Sequence, residues 1–195
     1  MQAYEILFHL TRSKIITDDI PPLNGIVRVN SLKCLGVTLQ SNFLFTEHIN
    51  DILSNCASNL FARRTLKSKG LSNDLIVTVF KSTVLSKLAY ASQFWWGFTG
   101  ASDRDRLEAF LRKASRCSFF DGSRTFSEII ETADRKLFNA VSSNQQHVLF
   151  PLLPPKKGEI MLKLRNRPHC YTLPSKKAPL MDKNYIVRML YKDTY

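Results

Sequence analysis

Cysteine is scarce in this sequence, and none of it falls in a chemically useful pair. Cys34, Cys56, Cys117 and Cys170 stand far apart with no C-x-x-C, so they spell neither a zinc ribbon nor a thioredoxin-like redox site. They read as reduced thiols, three of them in apolar surroundings. No apolar run approaches the roughly 18 residues of a membrane span, and no charged-then-apolar leader opens the chain. The expectation is a soluble intracellular protein with no membrane partner, in nucleus or cytoplasm. The phosphate loop G-x-x-x-x-G-K-[ST], the nucleophile elbow G-x-S-x-G and the zinc helix H-E-x-x-H are all missing. His9, His48, His147 and His169 are scattered, which argues against a shared metal or catalytic centre. There is no internal repeat. The one close acidic pair away from helix starts, Asp18-Asp19, precedes I-P-P in a loop. Two-metal polymerases hold paired carboxylates on a tight apolar hairpin, and T-D-D-I lacks those flanks. No catalytic residue and no metal ligand is assigned.

Negative charge is also in short supply. The 195 residues carry 28 Lys and Arg against 16 Asp and Glu, a net charge of +12 with a pI near 9.7. Such a field attracts phosphate and releases its counterions on contact, so the natural partner is nucleic acid. The excess is unevenly placed. Residues 1–60 hold four cations against five acids, residues 61–120 eleven against four, and residues 121–195 thirteen against seven. The middle and the end carry the electrostatics.

Hydrophobic residues make up 44% of the chain, enough to bury a core. The stretch I-V-R-V-N-S-L-K-C-L-G-V-T-L-Q, residues 26–40, predicts two short strands with a break near Asn30-Ser31, in a small antiparallel sheet, and Gly36 within it signals close backbone approach or a bulge. At Thr46 the period becomes helical. Thr46 is expected to cap a long helix burying Ile49, Ile52, Leu53, Cys56, Leu60 and Phe61, which Gly70 stops. A second helix runs from a Ser72 cap through Leu88 toward Trp95 and Gly97, antiparallel to the first because the link K-G-L-S-N is short. A third starts at Ser102 and buries Leu107, Phe110, Leu111, Ala114 and Cys117. Two short helical pieces follow, F-S-E-I-I-E-T-A and D-R-K-L-F-N-A-V-S-S. Beyond about Leu149, prolines and basic residues predict an extended tail, with an apolar Y-I-V-R-M-L-Y near its end suited to docking.

Arg63, Arg64, Lys67 and Lys69 crowd the end of the first helix, and Arg112, Lys113 and Arg116 the end of the third. Cations at a helix C-terminus offset its dipole, which is one reading. A phosphate-tracking ridge is the other and the favoured one. Trp95 and Trp96 likewise admit two readings, core packing and base stacking. Burial of an indole is worth up to ~5 kcal/mol, so packing of at least one is expected.

Together these blocks resemble a known family. The order S-L-K-C-L-G-V-T-L-Q, F-T-E-H-I, the helix ending L-A-Y-A-S-Q-F-W-W-G-F, the basic R-L-E-A-F-L-R-K-A-S-R, and the later L-L-P-P and L-R-N-R-P-H-C-Y-T-L-P is similar to the region after the catalytic palm in reverse transcriptases of non-LTR (LINE-like, jockey-type) retrotransposons. The resemblance implies an RNA-directed DNA polymerase fragment whose thumb domain holds template and primer. It places Lys33 and Gly36 at the primer grip and makes the doubled tryptophan the close of a thumb helix. The family's aromatic-led Asp-Asp hairpin, which binds Mg2+, would precede these residues. The chain is therefore expected to hold nucleic acid, an RNA/DNA hybrid among others, without sequence preference, to need no cofactor of its own and to be inactive alone. The alternative is a small basic helical interaction or nucleic-acid-binding protein with no enzymatic role. The fold class expected is mainly α (α+β): palm-edge and primer-grip-like strands over 1–44, a helical thumb-like domain over 45–148 and an extended basic tail over 149–195. The candidate nucleic-acid-binding residues are Lys33, Gly36, Arg63, Arg64, Lys67, Lys69, Arg112, Lys113 and Arg116.

Overall fold

Apolar residues spaced by three and four dominate the chain from Thr46 onward, and the computed structural model is accordingly mainly helical with a small β element. It describes residues 3–9, 20–156, 169–175 and 178–192. Four strands come first: β1 (Tyr4–Glu5), β2 (Val27–Arg28), β3 (Ser31–Cys34) and β4 (Val37–Gln40). The helices are α1 (Thr46–Ser68), α2 (Asn73–Phe80), α3 (Ser86–Ala89), α4 (Ser92–Trp95), α5 (Ala101–Arg116), α6 (Phe126–Ser143) and α7 (Tyr185–Tyr191). They group into two compact units, Met1–Ala91 with Phe98–Thr125, and Ser92–Gly97 with Phe126–Tyr195. These boundaries differ from a division at 44/45 and 148/149, because the strands pack onto α1 and because α4 and α6 share the second unit.

In the first unit, β3 and β4 form the antiparallel pair, Leu32 opposite Leu39 and Lys33 opposite Thr38. Its turn is Leu35-Gly36, both in the left-handed region at φ 47° and 85°, as a two-residue hairpin demands. Gly36 is thus a turn residue rather than a strand bulge. The expected break near Asn30-Ser31 separates β2 from β3, while β2 itself pairs in parallel with β1. Thr46 starts α1 but does not cap it; its hydroxyl donates to Asp103 at 2.8 Å and ties α1 to α5. The buried stripe of α1 is Ile49, Ile52, Cys56, Leu60 and Arg63. Phe61, expected inside, is 72% exposed because it lies one residue, about 100°, off that stripe.

α2 continues through a π-helical turn, Lys81–Leu85, into α3. Within Asn73–Phe98 an 18-residue window is apolar enough to meet the length and composition of a membrane span, contrary to the sequence expectation. It is not one rod. Helix ends at Ala89, and Ala91 turns the chain at φ 51°, so the continuous part measures about 25 Å against roughly 30 Å of hydrocarbon. Ile76, Phe80, Val84 and Leu88 are fully buried on its inner face, while Leu75 and Tyr90 are exposed.

In the second unit α6 is a single helix, not two pieces, with Ile130, Asp134, Phe138 and Val141 on one buried stripe. Trp95 and Trp96 are both buried, at 0% and 7% exposure. They meet edge to face at 6.0 Å, and Trp96 sits edge-on to Phe126 at 5.5 Å. Neither is a stacking platform for bases. The residues expected as an extended tail end instead in α7, capped by Asn184, whose side chain accepts from the Ile186 and Val187 amides. α7 buries Tyr185, Met189 and Leu190 against Phe138 and Tyr171.

Candidate nucleic-acid interface

The first unit sets α1 and α5 side by side in the same direction. Near their starts Thr46 bonds Asp103, and Arg106 donates to Asn50 at 2.6 Å; near their ends an Arg64 nitrogen lies 3.5 Å from the Cys117 sulfur. Both basic helix ends therefore fall at the same end of the unit. Arg64, Lys67 and Lys69 of α1 and Arg112, Lys113 and Arg116 of α5 are all exposed there.

Arg63 does not join them. It is 3% exposed, and its guanidinium donates to the Asn59 carbonyl at 2.9 Å, to the Val79 carbonyl at 3.1 Å and to the Thr83 hydroxyl. Its charge also lies 5.7 Å from the centroid of the Phe80 ring. The Val79 oxygen lies just before the π-turn and accepts from three side chains, Arg63, the Ser82 hydroxyl at 3.2 Å and the Thr83 hydroxyl at 2.6 Å. Arg63 is thus a clasp between α1 and α2, which corrects its place in the phosphate ridge. The sequence signal was present: 49, 52, 56, 60 and 63 keep a helical spacing, so Arg63 extends the buried stripe.

Lys33 and Gly36 are not brought to this end either. The hairpin packs on the start of α1, where the Thr38 amide donates to His48 Nδ1 at 3.4 Å, about 25 Å along the helix from Arg64. Lys33 is exposed there, and the turn is held by the Tyr90 hydroxyl, which donates to the Leu35 carbonyl at 3.1 Å. A Cβ on Gly36 would lie 3.5 Å from the Tyr90 ring, an ordinary contact, so its glycine serves the left-handed backbone at φ 85°.

Sequence reasoning passed over Arg124. The Asp121-Gly122 turn, with Gly122 at φ 69°, folds the segment after α5 back so that Arg124 joins Arg112 and Arg116 around a cleft of about 400 Å³. Ser115 and Thr125 contribute hydroxyls, and Glu108 is the one acid in its lining. The D-G turn after a basic helix end was the available clue. Lys81 is drawn to the same segment by Asp121 at 3.7 Å, and the hydrogen bonds from Ser123 hold that carboxyl below the usual range.

Asp18 and Asp19 lie outside the described residues. Among the described residues no three His, Cys, Asp or Glu side chains gather as metal ligands. What the geometry defines is a mainly helical protein of two units, with a cationic end on the first. No protein-family model, curated protein or solved structure matches the chain.

Proposed function

We propose that this chain is the nucleic-acid-holding, thumb-and-tail part of a non-LTR retrotransposon reverse transcriptase, binding RNA/DNA hybrid or other nucleic acid through the basic end of the first unit. The observation that carries the reading is the parallel pairing of α1 and α5, which sums two sets of cations on one face where either helix alone would only offset its own dipole. The order of the sequence blocks supplies the family, and the +12 charge supplies the preference for phosphate. The residues that act are Arg64, Lys67, Lys69, Arg112, Lys113 and Arg116, joined by Arg124. Chemistry is left to carboxylates of the family's Asp-Asp hairpin, a motif these 195 residues do not spell. The chain alone incorporates no nucleotide in the presence of Mg2+.

The test is hybrid binding across a salt series. With about six phosphates engaged, log affinity falls against log salt with a slope near −5, at roughly 0.9 per contact or somewhat less. Replacing Arg64, Lys67, Lys113 and Arg116 together by alanine flattens the slope by about 3 to 4. Equal affinity for heparin and hybrid at matched salt would favour a basic interaction protein instead, and no binding at low salt defeats the proposal.

A further inference from the structure

A second cluster of cations, far in sequence from the first, lines a cleft of about 280 Å³ within the second unit. It is floored by α6 and α7 and walled by the segments on either side of residues 157–168. Arg135, Asn139 and Ser142 come from α6, Lys192 follows α7, and Lys156, His169, Cys170 and Tyr171 form the wall. No carboxylate among the described residues lines it. Glu131 stands behind, shared between Arg135 at 3.0 Å and Lys192 at 2.7 Å. The Lys156 ammonium and the Asn139 amide have no partner among the described residues. A cleft that gathers three cations and an amide donor, with no carboxylate in its described lining, suits an anion rich in oxygens.

The opposite wall is aromatic and held in place. His169 Nε2 donates to the Leu190 carbonyl at 2.7 Å, and Nδ1 accepts from the Tyr171 amide at 3.2 Å, which fixes the ring plane. His169 and Tyr171 rings lie 5.8 Å apart, with Phe138 edge-on to both at 6.0 and 6.4 Å. Lys156 is held beside them by a β-bridge to Tyr171, and Thr172 is tied back to the Pro155 carbonyl at 3.0 Å by its amide. The site is preorganised, so ligand binding need not order it. Its size falls near the small end of ligand clefts, roughly 300 Å³ upward.

We infer that this cleft binds a nucleoside phosphate, its phosphate held by Lys156, Arg135, Lys192 and Asn139 and its flat ring laid against His169, which the buried Tyr171 backs. The site shares no residue with the basic end of the first unit, so it stands or falls independently of hybrid binding there. The same chemistry is offered by a free mononucleotide and by the phosphorylated end of a strand.

Cys170 lies exposed in the lining and reports occupancy directly, with the exposed Cys34 of the first unit as internal control. The full chain is alkylated with N-ethylmaleimide and the cysteine peptides are quantified by mass spectrometry. For a Kd of about 1 mM, adenosine monophosphate at about 5 mM slows Cys170 labelling about sixfold and leaves Cys34 unchanged. Lys156→Glu, at an exposed position, brings the protection below about twofold, and Asn139→Asp weakens it too by setting a carboxylate against the phosphate. Protection by the free nucleotide alone assigns that ligand, while equal protection by a 5′-phosphorylated dinucleotide assigns the strand end; both support the site. The inference is overturned if neither compound protects, if inorganic phosphate or adenosine alone protects as well, or if protection survives Lys156→Glu.

Discussion

The two units bury positive charge in different ways. In the first, Arg63 is enclosed with no carboxylate bonded to it and is met by two carbonyls, a hydroxyl and an aromatic face. In the second, Arg188 pairs with Asp134 at 3.2 Å, and the Asp134 side chain is only 4% exposed. The site of Arg188 is further shaped by Gly97, where any Cβ would collide with the Lys183 carbonyl and crowd the Arg188 guanidinium. The neutral solution leaves a guanidinium whose loss deletes hydrogen bonds. The paired solution is more exacting, because removing one charge strands the other in low dielectric. Titratable groups divide the same way. Burial pushes His48 in the first unit below the usual histidine value, with Asp51 opposing, and pushes Asp134 in the second above the usual carboxylate value, with Arg188 opposing.

The sharpest break in the comparison is Asp134→Ala. It should cost about 3 kcal/mol, the low end of the range for breaking a buried pair because Arg188 keeps 23% of its side chain exposed, read by urea unfolding. Both tryptophans of the sequence, Trp95 and Trp96, belong to the second unit, so their fluorescence reports this loss locally. An Asp134→Ala chain that unfolds like the parent would show that the ion pair contributes no more than a surface one.

Cys56 gives the next effect. Burial raises its thiol to about 11, so between pH 9 and 11 the unfolded chain loses a proton that the folded chain keeps, and stability falls as pH rises. The drop approaches roughly 3 kcal/mol, from two units at 1.36 kcal/mol each. Cys56→Ala should abolish that slope while lowering stability at neutral pH. An unchanged alkaline slope would assign it to other groups.

Arg63→Met should destabilise the first unit by about 2 kcal/mol through its lost charge-assisted bonds, measured as faster alkylation of the buried Cys56 in partial denaturant. It should leave the salt slope of hybrid binding untouched. A flatter slope would return Arg63 to the phosphate ridge.

The smallest effect is one of sign. A depressed folded-state value makes His48 contribute stability above its ordinary range, near 6.5, and lose it as pH falls through the lowered value. A raised value makes Asp134 contribute below the ordinary carboxylate range and lose that as pH rises through the raised value. Mild acid should therefore loosen the Cys56 probe before the tryptophan signal, and His48→Gln should remove the difference.

Much of this was legible locally. The stripes of α1 and α5, the stop at Gly70 and the apolar end of the chain follow from spacing and turn chemistry that act within a few residues. The second helix and α6 were misjudged for local reasons too. A positive φ at Ala91 is not written in alanine's preferences, and the join between A-D-R-K and the preceding helical piece carries no stop signal to separate them. Of the candidate site, the exposed cations could be counted but not sorted, since Arg63 and Arg64 differ only in which side of α1 they face.

By itself the sequence determined a mainly helical chain with a small hairpin, a positive field concentrated beyond residue 60, and the burial of at least one tryptophan of the pair. Tertiary structure alone decided that α1 and α5 run together, that Arg63 donates to a carbonyl sixteen residues away, and that Asp134 meets Arg188. The reason is range. Periodicity and capping depend on neighbours a turn apart, whereas the burial and pairing of a charge depend on which distant face arrives beside it.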